Sequence, residues 1–312
     1  MKQAMRRSLL LAGPFRPATE QIHEMSELGF DVVTLQDERQ RPDHDPRTFH
    51  AVVCNSYFAH HRLADHSRLE FVQLLSTGWD RFPRAEADRR GVQSFNARGV
   101  YNIPLAEWVI TRIFEYFKSS RVHYENQKRG KWEKLRAQPE IYGKTATVVG
   151  LGQLAATLAP RLSALGMRLF GVSRRGPFVM PGFDKVLNQE DIFRVLPETD
   201  VLISCLPLES STRDFFGAQI FRSLKESSLF LNVSRGGVVD EAALVDALRS
   251  GSLSGAALDV FEHEPLPDSS PFWELQNVIV TPHDAFESDR NHERLSCMLM
   301  ANLRHYVASS SR

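Results

Sequence analysis

Thr147-Val148-Val149-Gly150-Leu151-Gly152-Gln153-Leu154-Ala155 reads as a buried strand that runs into a glycine turn and out into a helix. Gly150 permits the tight turn, Gly152 lets the backbone approach a pyrophosphate, and the small Ala155 lets the helix pack on the strand. The helix amino terminus adds unpaired N–H groups and a partial positive charge, which brings Gln153 and Leu154 into the candidate phosphate-binding set. The pattern also fits an ordinary strand-turn-helix connection, so the next strand of the chain decides whether a dinucleotide binds here.

In such a fingerprint a carboxylate about 20 residues further on bonds the ribose 2′-hydroxyl. The strand reaching that point, Met167-Arg168-Leu169-Phe170-Gly171-Val172, ends instead in Ser173-Arg174-Arg175. Two guanidiniums and a hydroxyl suit a 2′-phosphate, because Arg presents a planar fork of donors that matches phosphate oxygens. The expected cofactor is therefore NADPH/NADP rather than NADH. The alternative is that both arginines are solvated loop charges.

Upstream of the fingerprint, short apolar runs at Leu9–Ala12, 31–35, 51–54, 71–75 and 92–95 alternate with segments of helical spacing. One such helix covers 18–28, with Thr19 as its cap. This is the strand-helix alternation of a parallel sheet, and it makes one α/β unit before the fingerprint begins. A helix is predicted from Pro104 through Phe117, richer in apolar residues than one core face requires; the surplus fits either a subunit interface or burial between domains.

Downstream, strands are predicted near 145–149, 167–172, 201–206, 228–233, 255–260 and 278–281, with a helix capped by Asp240 and closed by Gly251. Pro160 falls inside the helix after the glycine turn, where a kink or an early end is expected. A last helix over 288–307 completes the chain, and the Ser309-Ser310-Ser311-Arg312 tail is expected to fray.

Composition narrows the classes. The 312 residues suffice for two domains, and 42% hydrophobic content is that of a globular protein. Lys plus Arg equals Asp plus Glu at 38 each, which argues against a nucleic-acid or membrane footprint. Cys54, Cys205 and Cys297 are scattered and odd in number, as in a reducing cytoplasm. The basic start through Arg7 followed by Ser8–Ala12 superficially resembles a signal peptide, but its apolar run is too short. The expectation is a cytoplasmic protein.

Three later segments each end in a polar residue where a strand meets a loop: Leu231-Asn232-Val233-Ser234-Arg235-Gly236-Gly237, Leu258-Asp259-Val260-Phe261-Glu262-His263-Glu264-Pro265 and Val280-Thr281-Pro282-His283-Asp284. In an open parallel sheet, ligands bind outside the carboxyl ends of strands, so these ends can converge. They bring together an Arg, an acidic residue and a His. Arg can bind a substrate carboxylate and polarise the neighbouring carbonyl. His can donate the proton that completes an alcohol, and a carboxylate beside it favours the imidazolium and fixes the ring. These types suit reduction of a 2-oxo acid by a nicotinamide.

These stretches, in this order and spacing, resemble the D-isomer-specific 2-hydroxyacid dehydrogenase family over nearly the whole chain; Val238-Val239-Asp240-Glu241, Leu266-Pro267 and Gly150-Leu151-Gly152 add to the match. The resemblance implies Arg235, Glu264 and His283 as the catalytic residues. Glu262 competes with Glu264 on sequence, and only the family match favours the residue before Pro265. It further implies Asp259 against the nicotinamide carboxamide, Cys205-Leu206-Pro207 on the adenosine side, Val233 and Ser234 along the cofactor, and main-chain donors of Thr77 and Gly78 for the substrate carboxylate. The fold it implies is α/β: a Rossmann-type doubly wound parallel sheet, residues 99–284, inserted into a smaller flavodoxin-like α/β substrate domain, residues 1–98 with 285–312. Homodimers are usual in the family, and the Ser173-Arg174-Arg175 segment is similar to its NADPH-using glyoxylate and hydroxypyruvate reductases.

Some residues stay outside that match. Asp284 follows His283 where small or apolar residues are common, so it either perturbs the histidine or faces water. Tyr57 and Trp79 are candidates for shaping substrate preference, beside plain packing within the small domain. Tyr124 and Lys128 have the spacing of short-chain dehydrogenases but precede the fingerprint, so they are assigned to a solvated helix end. His60, His61 and His66 lack ligand spacing and are expected at the surface; no metal is required. A second class of function on the same fold is a nucleotide-sensing, corepressor-like binding protein. The absence of a long extra tail and of a basic patch favours the enzyme.

Overall fold

In the computed structural model, which describes residues 6–310, the chain forms two compact units. The first runs to Tyr101 and resumes at Ser288; the second spans Asn102–Glu287. The beginning of the basic start, Met1 to Met5, and the Ser311-Arg312 end of the tail lie outside the described residues.

The smaller unit contains β1 (Arg7–Ala12), α1 (Thr19–Glu27), β2 (Phe30–Leu35), β3 (Phe49–Cys54), α2 (Tyr57–His60), β4 (Phe71–Leu74), α3 (Arg84–Arg89) and β5 (Gln93–Phe95). All pairings are parallel, in the order β2-β1-β3-β4-β5. Because side chains alternate along a strand, Leu9, Leu11, Ala51 and Val53 enter one core layer while Leu10, Ala12, Val52 and Cys54 enter the other. The chain's final helix packs on the first layer through Leu295, Leu299, Leu303 and Tyr306. Its Asn302 donates to buried Gln73 of β4 at 2.7 Å. Ser309 and Ser310 still belong to that helix and do not fray, Ser309 Oγ donating to the Tyr306 carbonyl at 2.8 Å. Thr19 is the first helical residue of α1 rather than its cap. Ala18 holds the cap position, and its N–H donates to Gln21 Oε1 at 2.9 Å.

The larger unit contains α4 (Asn102–Phe117), α5 (Ser120–Lys128), β6 (Thr145–Val149), α6 (Gln153–Ala164), β7 (Arg168–Ser173), β8 (Lys185–Asn188), β9 (Val201–Ser204), α7 (Ala218–Ser223), β10 (Leu229–Asn232), α8 (Glu241–Ser250), β11 (Gly255–Leu258) and β12 (Val278–Val280). Its seven parallel strands run β8-β7-β6-β9-β10-β11-β12. The order reverses between β6 and β9, and that switch point is where a doubly wound sheet opens a crevice at its carboxyl edge. Two core layers cover the two faces, and both are built from fully buried strand residues such as Val148 and Leu231 on one side and Leu202 and Phe230 on the other. Together with the final helix, now α9 (Asn291–Ser310), these elements give the expected Rossmann-type and smaller α/β sheets.

Three local readings change. β8 carries no alternation long enough to be read from sequence. α4 begins at Asn102, so Pro104 is its third residue, still within the turn whose N–H groups have no helical acceptor. α6 continues through Pro160 to Ala164 instead of ending early. Pro160 and Ala156, whose carbonyl the proline cannot serve, both lie on the exposed side of the helix. α4 buries Ala106, Val109, Ile113 and Phe117 in the larger unit's own core, leaving Ile103 and Phe114 exposed.

Candidate active site

The glycine turn sits at the switch point. Gly150 has a φ of 98°, and a Cβ there would lie 2.6 Å from the Cys205 carbonyl oxygen, so only glycine lets the turn close on the end of β9. Gly152 is different: a Cβ there would meet nothing, which leaves open space in front of the helix. Gly152 is also the cap residue of α6 and makes no side-chain cap bond, so the first N–H groups of a twelve-residue helix, from Gln153 and Leu154 onward, face that space. This cradle fits a pyrophosphate.

At the end of β7 the arginine pair is divided. The Arg174 guanidinium donates to Glu209 Oε2 at 2.9 Å and to Ser211 Oγ at 3.1 Å. Arg175 is exposed, its side chain has no ion-pair partner among the described residues, and its backbone N–H donates to Ser173 Oγ at 3.2 Å. Leu206 is buried and Pro207 exposed. Burial pushes the Cys205 thiol up to about 12, and its side chain packs against the core beneath the glycine turn.

The β10 loop is built by Asn232, whose Oδ1 accepts from the Ser234 N–H at 3.1 Å and the Ser234 hydroxyl at 2.8 Å, while its Nδ2 donates to the Arg235 carbonyl at 3.0 Å. Ser234 Oγ also bonds Ser204 Oγ of β9 at 2.8 Å. Val233 is buried. Next to Arg235, a Cβ on Gly236 would fall 1.8 Å from the Phe261 carbonyl carbon. Glycine there is what allows the Arg235 loop to lie directly on the 261–264 loop.

Of the two competing acids, Glu264 is the one that faces the histidine. Its Oε2 lies 2.7 Å from His283 Nδ1, and its Oε1 accepts the Phe261 N–H at 3.0 Å. Glu262 turns away and pairs with Arg213 at 3.2 Å, while its N–H donates to Glu241 Oε1 at 2.8 Å. His283 and Glu264 are each about one-third exposed, enough for a small molecule to reach the ring.

His283 has a φ of 55°, a left-handed conformation that costs energy in a residue other than glycine. What holds it is Asp259. This carboxylate is 1% exposed, and its Oδ1 accepts from Thr281 Oγ1 at 2.6 Å and from the Asp284 and Ala285 N–H groups at 3.0 and 3.1 Å. Thr281 Oγ1 in turn accepts from Trp108 Nε1 of α4 at 3.2 Å. Burial pushes the Asp259 carboxyl above its ordinary value, against hydrogen bonds from Thr281, Ala285 and Asp284 that favour the ionised form. Expected beside a nicotinamide carboxamide, Asp259 thus already has most of its acceptor capacity occupied by the histidine loop. Trp108 was not legible as part of the site, since nothing in its spacing marks it, and Thr281 stood in the Val280-Thr281-Pro282-His283 stretch without a role of its own. The Asp284 side chain faces water.

In the smaller unit, Thr77 and Gly78 occupy the loop after β4, Thr77 exposed with its carbonyl accepting from Asn96 Nδ2 at 2.6 Å. Trp79 is half-buried, packed on Phe82 with the Arg84 guanidinium 4.4 Å from its ring centroid. Tyr57 takes the packing role that stood beside substrate preference. It is fully buried, stacked on His61 at 4.2 Å, with its hydroxyl 3.1 Å from His66 Nε2. His66 is likewise fully buried and not at the surface, its Nδ1 on the Arg62 carbonyl at 3.1 Å. Tyr124 lies on α5 and is 60% exposed, with Lys128 paired to Glu125. Among the described residues no group of side chains could hold a metal ion, and no helix is long and apolar enough to cross a membrane.

Residues 110–285 match the D-isomer specific 2-hydroxyacid dehydrogenase NAD binding domain. The chain is 32% identical over 246 residues to a glyoxylate reductase of Korarchaeum cryptofilum, covering 76% of this chain and 72% of that one. It is 32% identical over 243 residues to glyoxylate/hydroxypyruvate reductase B of Citrobacter koseri, covering 76% and 74%. Among solved structures, it is similar to a D-isomer specific 2-hydroxyacid dehydrogenase from Xanthobacter autotrophicus Py2 in complex with NADPH and MES. That likeness has a TM-score of 0.79 at 26% identity, over 98% of this chain and 96% of that one.

Proposed function

Because this chain belongs to the D-isomer-specific 2-hydroxyacid dehydrogenase family, we propose that it reduces a small 2-oxo acid, such as glyoxylate or hydroxypyruvate, to the D-2-hydroxy acid with NADPH. The observation that carries this reading is the 2.7 Å contact between Glu264 Oε2 and His283 Nδ1. With Nδ1 engaged, Nε2 is the ring nitrogen left to deliver a proton to the carbonyl oxygen, and the neighbouring carboxylate stabilises the charged ring that does so. The nicotinamide, when bound, supplies the hydride. Arg235 holds the substrate carboxylate with its guanidinium fork and stabilises the negative charge growing on the carbonyl oxygen. Main-chain donors of Thr77 and Gly78 belong to the same assignment by family match.

The choice of NADPH is supported by Arg174 and Arg175 at the end of β7 and by the absence of a carboxylate on that strand. The relative bound to NADPH supports it as well. We also infer a homodimer using α4 and α5, where Phe114, Val122 and Tyr124 are exposed. Sedimentation showing only monomer would remove that part.

The test is NADPH oxidation across a panel of 2-oxo acids, followed by kcat/KM for NADPH and NADH on the best substrate. Turnover with at least one acid and a higher value for NADPH are expected. No turnover on any acid would overturn the enzyme reading, and a clear NADH preference would overturn the cofactor reading alone.

A further inference from the structure

We infer that Glu209 sets the choice between the two nicotinamide cofactors: it replaces the acid missing from β7 as acceptor for a ribose 2′-hydroxyl, and it competes with a 2′-phosphate for Arg174. The inference rests on the cofactor reading above and deepens it.

The strand that should end in a carboxylate ends in Ser173, yet a carboxylate reaches the same place from the loop after β9. Glu209 Oε2 lies 2.9 Å from Arg174. It is held there by a built turn. The Glu209 N–H donates to Thr212 Oγ1 at 2.8 Å, the Glu209 carbonyl accepts from the Thr212 and Arg213 N–H groups at 3.0 Å each, and the Thr212 hydroxyl donates to the Pro207 carbonyl at 2.6 Å. Thr212 is fully buried, so the turn is anchored while the Glu209 head stays about half exposed.

Charge decides the direction of the effect. A 2′-phosphate brings roughly two negative charges, which Arg174 and Arg175 would balance. With Glu209 present the group of four carries an excess negative charge, and Arg174 must leave one acid for the other. With a 2′-hydroxyl the same group is net positive, and Glu209 can accept a hydrogen bond from the hydroxyl while keeping Arg174. The Arg174–Glu209 pair is solvent-screened, so breaking it costs little and NADPH still binds. The site therefore accepts both cofactors, with a preference trimmed by one side chain.

The experiment is titration of NADPH and NADH against the whole protein, read by nicotinamide fluorescence, for wild type, Glu209→Gln, Arg174→Gln and the double variant. In E209Q the ratio of the NADH Kd to the NADPH Kd is expected to rise about five- to tenfold, through tighter NADPH and weaker NADH together. In the R174Q background the NADPH gain from E209Q should disappear. A ratio in E209Q within twofold of wild type, or an equal change for both cofactors, overturns the role of Glu209 and leaves the NADPH reading standing. Wild type binding NADH more tightly, with NADPH indifferent to R174Q, overturns the NADPH reading instead.

Discussion

Glu264 grips His283 with one carboxylate oxygen, at 2.7 Å, and its own loop with the other, through the Phe261 N–H at 3.0 Å. A carboxylate anchored at both ends fixes the imidazole and cannot simply follow it. Glu264→Gln keeps the shape and removes the charge, so kcat should fall about 10- to 100-fold with the NADPH Kd nearly unchanged. His283→Ala should cost about 10²-fold or more, again without loss of NADPH binding. Steady-state kinetics and cofactor titration check both, and near-normal turnover in H283A would refute its role as proton donor.

The support beneath the histidine gives a second expectation. Asp259→Ala deprives Thr281 and the Asp284 and Ala285 N–H groups of a buried acceptor. A stability loss of about 2–4 kcal/mol by chemical denaturation is expected, with kcat falling too as the 281–285 loop relaxes. Trp108→Phe removes only the outermost donor, so its effect on kcat should stay within about threefold. A W108F variant as damaged as D259A would mean that Trp108 matters for packing beyond this hydrogen bond.

Gly236 carries a steric prediction. A methyl group placed 1.8 Å from the Phe261 carbonyl carbon cannot be absorbed by a side-chain rotation, because the obstacle is backbone. Gly236→Ala should separate the Arg235 loop from the 261–264 loop, destabilise the fold by about 1–3 kcal/mol, and raise KM as well as lower kcat. Unchanged kinetics would show that Arg235 does not depend on that contact.

Much of this was written in the chain. The β6 strand and its glycines announce themselves because burial on both faces demands a continuous Val/Thr run and the turn demands a missing Cβ. That the Arg235 and His283 loops both lie on the 261–264 loop follows from one rule, that segments just past parallel strands gather at the sheet's carboxyl edge. Other features were not legible. β8 is a four-residue edge strand with only Val186 and Leu187 buried, too short for periodicity to register. Glu209 lies 35 residues from Arg174, and only folding makes them neighbours. Tyr57 looks like a loop aromatic until α2 turns it into the core, and Pro160 looks like a helix breaker until it proves to lie on the exposed side of α6.

Buried His66 links stability to pH. Burial, first among the causes, lowers its pKa below the ordinary histidine range, and both ring nitrogens are engaged, by the Tyr57 hydroxyl and the Arg62 carbonyl. A histidine that protonates less readily when folded leaves the unfolded chain binding more protons. Stability therefore rises with pH up to the unfolded value near 6.5 and is lost as pH falls below it, until the folded pKa is reached. Melting temperature should drop as pH falls below about 6.5 in wild type, and the slope should flatten in His66→Gln. An unaltered slope in H66Q would assign acid lability elsewhere.

The backbone of His283, at a φ of 55°, also bears on which residue can replace it. Alanine or a β-branched residue at that position resists the left-handed conformation, whereas asparagine visits it readily. His283→Asn is thus the variant to choose for removing the proposed proton donor while keeping the loop in its left-handed shape.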